Sequence, residues 1–235
     1  MKVAILQSNY LPWKGYFDLI HDVDVCVLYD CVQYTTGDWR NRNQIIVQGA
    51  RTWLTVPVLA APLGTRILDV QIHEGEPWRR RHAKTLLWSY RNAGYFEEVS
   101  EWVLPWIQAG PGLPGYGNLA ALNRGLIKAV CGYLGIPTRF VASEELSLEG
   151  RGTDRILDVM RKTGGDCYIS GPAAKAYMEE DKLGAAGVRL LYKDYSGYPS
   201  YPQFSSVFDH HVSILDLLFQ VGPKAGDFIW GWRGR

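Results

Sequence analysis

Little in this chain points to metal or disulfide chemistry. Its four cysteines, Cys26, Cys31, Cys131 and Cys167, form neither a CxxC pair nor the Cys/His spacing of a zinc site, so no metal and no disulfide framework are expected. They read as reduced thiols of a cytoplasmic protein. Also missing is any uninterrupted apolar run near the ~20 residues that a bilayer span needs. The run Val3-Ala4-Ile5-Leu6 is too short for a signal-peptide core, so neither export by that route nor membrane insertion is expected. Nor is there a charge excess: 25 Lys+Arg against 24 Asp+Glu leave a net charge of +1, which offers no general attraction for nucleic acid or an anionic membrane. The glycine-rich stretches 110–117 and 150–153 lack both the Lys-Ser/Thr of a P-loop and a GxGxxG fingerprint, and they read as loop punctuation. With no repeat and no linker, residues 1–235 read as one domain.

What is present is core material and aromatic rings. A composition 47% hydrophobic and 21% charged supplies a full core. The 9 Trp and 14 Tyr carry polar edges that want partners, and walls that stack on sugar or heterocyclic rings are one use for them.

The pattern predicts an α/β fold: a Rossmann-like parallel sheet flanked by helices, with a β-hairpin insertion and a helical C-terminal part. Residues 3–6 read as a buried strand, residues from Gly15 as a short helix, and residues 24–29 as a second strand, a βαβ unit. A hairpin follows over 44–47 and 53–58, then a strand over 67–72 and a basic amphipathic helix over 78–91. Pro105 reads as a break. Leu119, Leu122, Leu126, Ile127, Val130 and Leu134 share one face of a helix closed by Gly135. A strand over 138–142, a helix over 153–162 capped by Thr153, a short strand over 167–169 and a helix within 212–219 complete the reading.

Ligands of such sheets bind beyond the carboxyl ends of the strands. Gln7, Asn9 and Tyr10 fall at the first end, where they line a polar pocket or cap their own turn. Asp30 falls at the second, as a general base, an ion-pair partner of Arg40 or Arg42, or a turn cap. Arg40, Asn41, Arg42 and Asn43 offer fork donors and amides for an anionic handle, or form a solvated hairpin end. Ser170 follows a predicted strand and could present backbone N–H groups to an anion. His82, early in the basic helix, is the second candidate base. Cys31 is a thiolate nucleophile or an incidental thiol. His210 and His211 are adjacent, a poor metal geometry, and Tyr192, Tyr195, Tyr198 and Tyr201 line a loop over the pocket or pack on the surface.

The run Gln7-Ser8-Asn9-Tyr10-Leu11-Pro12-Trp13-Lys14-Gly15-Tyr16-Phe17 resembles the opening signature of the WbqC-like family, commonly HQPNYLPWLGYF. Asp30-Cys31-Val32-Gln33 resembles the family's DDVQF, Trp39-Arg40-Asn41-Arg42-Asn43 its WQNRN, and Trp53-Leu54-Thr55-Val56-Pro57-Val58 its WLTVPV. Ser170-Gly171 and residues 213–219 match later blocks. Leu6 stands where His is common, Ser8 for Pro, Cys31 for the second Asp and Gln220-Val221 for Asn-Glu. The resemblance adds Gln33 and Trp39 to the substrate-binding set and implies a setting in surface-polysaccharide (O-antigen) biosynthesis. In layout the start is also similar to nucleotidyltransferases and pantothenate synthetases, with Tyr16 in the place of a phosphate-binding His.

Three functions follow as expectations. The first is a transferase moving an acyl or aminoacyl group onto an amino sugar or related intermediate, with Asp30 or His82 as base and a nucleotide sugar or acyl donor as partner. The second is a nucleotide-dependent adenylating or ligase-type enzyme, and the third a non-catalytic sugar- or nucleotide-binding module. No cofactor is identified.

Overall fold

A computed structural model describes residues 1–233. The chain runs β1 (Lys2–Leu6), α1 (Lys14–His21), β2 (Val25–Leu28), β3 (Arg42–Val47), β4 (Ala50–Thr55), α2 (Trp78–Tyr90), α3 (Phe96–Ile107) and α4 (Leu119–Tyr133). It continues through β5 (Arg139–Ala142), α5 (Gly152–Thr163), β6 (Cys167–Ser170), α6 (Glu180–Ala185), β7 (Arg189–Tyr192) and α7 (Ile214–Val221). Five strands form one parallel sheet in the order β5-β2-β1-β6-β7, and β3 with β4 forms a separate antiparallel hairpin. The expected α/β architecture, with its hairpin and its C-terminal helix, is what the chain adopts.

Near-continuous apolar strands are the signature of a sheet covered on both faces. Alternation divides the residues between two cores. Val3, Val25, Val27, Val141 and Tyr168 point into one shared with α5 and α6. Ala4, Cys26, Leu28, Cys167 and Ile169 point into the larger one, which holds α1, α4 and α7. Ile45, Leu54 and Val56 carry the hairpin into that larger core. Its turn, Gln48-Gly49, has φ of 50° and 80°, the paired positive values that match strand twist in a two-residue hairpin.

Several local expectations change. Residues 67–72 form a 3₁₀ turn, Ile67–Asp69, because the Val70 N–H closes onto the Ile67 carbonyl and Arg66 pairs with Asp69 at 2.6 Å. Pro105 lies inside the last turn of α3, a helix the sequence pattern does not announce; only one backbone bond is forfeited there, and Gln108 N still reaches Leu104 O. Helix α5 begins at Gly152 without a side-chain cap, and the Thr153 hydroxyl instead accepts from the Glu179 N–H. Strand β7 and helix α6 were not anticipated. Helix α4 closes at Gly135, φ +66°, as expected.

Candidate active site

The strand order reverses between β1 and β6: from β1 the chain moves outward through β2, and from β6 it moves the other way to β7. That is the topological switch point, and the crevice beyond its strand ends is where such sheets bind ligands. A cavity of about 450 Å³ opens there. Gln7 and Asn9 after β1, Tyr29 after β2, Tyr168 of β6, Gly152 of α5 and Arg40 of the hairpin approach contribute to its walls. Tyr16 and Tyr177 bring the lining tyrosines to four, and Arg40 is the one charged residue among the described lining residues.

Two loops build this rim, and their backbones are laced together. Tyr10 N donates to Trp39 O at 2.9 Å, and Asn123 Nδ2 donates to both Ser8 O (3.2 Å) and Arg40 O (2.7 Å). Leu11 sits at φ 45°, a left-handed conformation that costs a non-glycine residue about 1–3 kcal/mol. Asn43 holds it there, its Nδ2 donating to the carbonyls of Tyr10 (3.2 Å) and Leu11 (2.8 Å). Arg40 is fixed by Asp38 (2.5 Å) and donates to Asn9 Oδ1 at 3.1 Å, which aims a held guanidinium at the crevice. The Tyr16 hydroxyl donates to the Gln7 carbonyl at 3.0 Å, so it shapes the wall and is not free for a phosphate.

The two candidate bases sit elsewhere. Asp30 is 0% exposed; one oxygen accepts from Ser8 N at 2.8 Å and the other pairs with Arg124 Nε at 2.6 Å, not with Arg40 or Arg42. His82 is 5% exposed beneath Tyr10, whose hydroxyl lies 2.9 Å from Nδ1. Burial pushes the imidazole down to about 4, partly offset by its bond to the Thr55 backbone, so the ring is neutral near pH 7. Neither residue lines the crevice. Both stand behind the rim, Asp30 against the Ser8 N–H and His82 against the Tyr10 hydroxyl.

Other predicted residues divide. Asn41 is buried, its Nδ2 on Val56 O at 3.0 Å, and the Arg42 guanidinium stacks over Trp53, 4.3 Å from the ring centre. Gln33 is exposed and bridges to Arg66; Ser170 is buried, 3.2 Å from the Tyr168 hydroxyl. Trp39 and Asn43 line a second, smaller cavity with Asn9, Pro12, Trp13 and His211. Cys31 is partly buried, and its N–H meets Ser143 Oγ. Tyr198 and Tyr201 are buried, with hydroxyls on Asp18 and Asp216. Among the described residues no cluster of three His, Cys, Asp or Glu could hold a metal, and no helix is long and apolar enough to cross a membrane.

Sequence reasoning missed Asn123 and Arg124, which stand side by side on α4, Asn123 within its buried stripe. A polar residue breaking an apolar stripe was the available signal.

A sequence model of the WbqC-like protein family matches residues 7–228. The uncharacterized protein Rv1507c of Mycobacterium tuberculosis (strain ATCC 25618 / H37Rv) is 40% identical over 228 residues, covering 97% of each chain. No solved structure matches the chain.

Proposed function

The chain belongs to the WbqC-like protein family, and from that premise we propose that it is a biosynthetic transferase that binds a nucleotide-linked small molecule in the crevice at the switch point. On this reading the molecule carries, or receives, an acyl or aminoacyl group, in the surface-polysaccharide setting that the family implies.

One observation carries the reading: the switch-point crevice combines four tyrosine rings with a single held guanidinium, Arg40. Flat apolar faces suit a nucleobase, and a fork of N–H donors suits a phosphate. The amino end of α5 borders the crevice through Gly152 with no side chain capping it, and its dipole favours the same negative charge. No His, Asp or Glu is among the described lining residues. That favours transfer of an already activated group, in which orientation and electrostatics do most of the work, over a step that needs a strong local base. Asp30 and His82 enter as positioning residues.

The test is a thermal-shift and calorimetric titration of the protein with UDP, CTP, ATP and nucleotide sugars, with and without Mg²⁺. Stabilisation by one of them, weakened by about ten-fold or more in Arg40→Ala, is expected. If every nucleotide leaves the unfolding temperature unchanged at millimolar concentration, the reading fails.

A further inference from the structure

The second cavity lies on the far side of Asn9 from the crevice, and Asn9 lines both. It encloses about 190 Å³, below the roughly 300–1,000 Å³ of a pocket for a drug-sized ligand, so it has room for one small ring. Its walls are the indoles of Trp13 and Trp39, with the imidazole of His211 stacked on Trp13 at 5.5 Å and 25°. Asn9 and Asn43 supply amide edges. No Lys, Arg, Asp or Glu lines it, in contrast to the Arg40 crevice.

Trp13 is partly buried against the larger core, but the indole facing it across the pocket is not. Trp39 is 45% exposed and Trp53, tilted against it at 5.6 Å, is 42% exposed. Arg42 stacks on Trp53, which leaves the Trp39 indole as the large apolar face open to an occupant. A nucleobase would also cover such a surface, but the four-tyrosine crevice that shares Asn9 already offers it faces. A pyranose ring fits better on three counts. Its axial C–H face lies against an indole, its equatorial hydroxyls meet side-chain amides, and it carries no charge. Asn43 is committed, with Nδ2 on two carbonyls and Oδ1 accepting from Gln44 N. Asn9 is only half committed: its Oδ1 accepts from Arg40, and its Nδ2 has no partner among the described residues.

We infer that the Trp13, Trp39 and His211 pocket is a pyranose subsite, and that it takes the sugar of the nucleotide-linked substrate whose anionic part lies across Asn9 on Arg40. The assignment of that sugar to a nucleotide rests on the function proposed above; the pocket's preference for a neutral six-membered sugar ring does not. Trp39 supplies the stacking face and Asn9 Nδ2 the hydroxyl donor.

The experiment is saturation-transfer NMR on the full chain with a panel of methyl pyranosides: gluco, galacto, manno and the N-acetylated gluco and galacto forms. At least one pyranoside shows transfer to its ring protons. Its affinity falls about ten-fold in Trp39→Ala and is partly kept in Trp39→Phe. Circular dichroism of each variant identifies any that has not folded, and Trp39→Phe keeps the test decisive if Trp39→Ala has not. No transfer from any pyranoside overturns the inference, as does transfer that is equal in wild type and both Trp39 variants. Displacement of the pyranoside by an uncharged nucleoside at lower concentration also overturns it. Because nucleotide binding is read on Arg40→Ala and pyranoside binding on Trp39→Ala, the two readings fail separately.

Discussion

Asp30 and Arg124 meet at 2.6 Å at the carboxyl end of β2, the carboxylate fully buried and the guanidinium partly so. The same guanidinium reaches Glu144 at 2.5 Å, and the other Asp30 oxygen takes the Ser8 N–H. One carboxylate thus pins the first loop of the site to α4. In Asp30→Ala the guanidinium keeps Glu144, but the buried Ser8 N–H loses its acceptor, so the unfolding free energy is expected to fall by about 1–3 kcal/mol. Urea denaturation checks it. A variant of unchanged stability would return Asp30 to the list of free functional groups.

The neutral imidazole of His82 makes stability depend on pH. Its folded value, about 4, lies below the ordinary 6.5, so between those values the unfolded chain binds the extra proton. Stability gained from this residue is complete above pH 6.5 and is lost as pH falls toward 4, by about 3 kcal/mol in all. His82→Gln removes that slope. The measurement is the unfolding midpoint of both proteins from pH 7.5 to 4.5, compared as a difference so that other titrating groups cancel.

A second buried carboxylate, Asp216, accepts from Tyr90 (2.7 Å), Tyr201 (2.7 Å) and Gln203 (2.6 Å), and burial holds its acidity below that of an ordinary aspartate. The three donors tie α2 and the loop around Tyr201 to α7. Tyr201→Phe deletes one hydroxyl with almost no change of volume and is expected to destabilise by about 1.5–3 kcal/mol. Denaturant titration gives the number, and hydrogen exchange is expected to rise first around residues 198–209.

Gly15 is required by its neighbour. A Cβ there would meet the Trp13 indole at 2.3 Å, closer than any real contact. The ring is the part able to give way, so Gly15→Ala displaces the wall of the small pocket more than it harms the core. Pyranoside transfer is expected to drop while the unfolding midpoint moves by a degree or two, about 1 kcal/mol at most. Trp13 remaining in place in an NMR spectrum of Gly15→Ala would contradict this.

Four of the five sheet strands, β1, β2, β5 and β6, were legible because they are short apolar runs; β7, with exposed Arg189 and Leu191 in its four residues, was not. Position at a strand end pointed to Gln7 and Asn9, and the fork donors ahead of the hairpin pointed to Arg40; all three line the crevice. Chemistry was less legible. Asp30 looked reactive beside a strand end, but its partner, Arg124, lies 94 residues away in sequence, and no local pattern reports it. His82 looked basic from its neighbours Arg79, Arg80 and Arg81, whereas its side chain belongs to the buried face of α2 with Trp78, Leu86 and Tyr90. The paired use of Trp39 and His211 is invisible for the same reason: residues 172 positions apart meet only after α7 docks, with Ile214 N on Pro12 O and Ser213 N on Gln44 O.

Asn9 makes the two cavities thermodynamic neighbours. Its Oδ1 is held by Arg40, so the direction in which its Nδ2 points depends on where that guanidinium lies. An anion that draws Arg40 toward itself changes the donor offered to the other cavity, and a ring that engages the donor changes the hold on Arg40. By linkage the two effects are equal in size: whatever factor one occupant imposes on the affinity of the other, it receives in return.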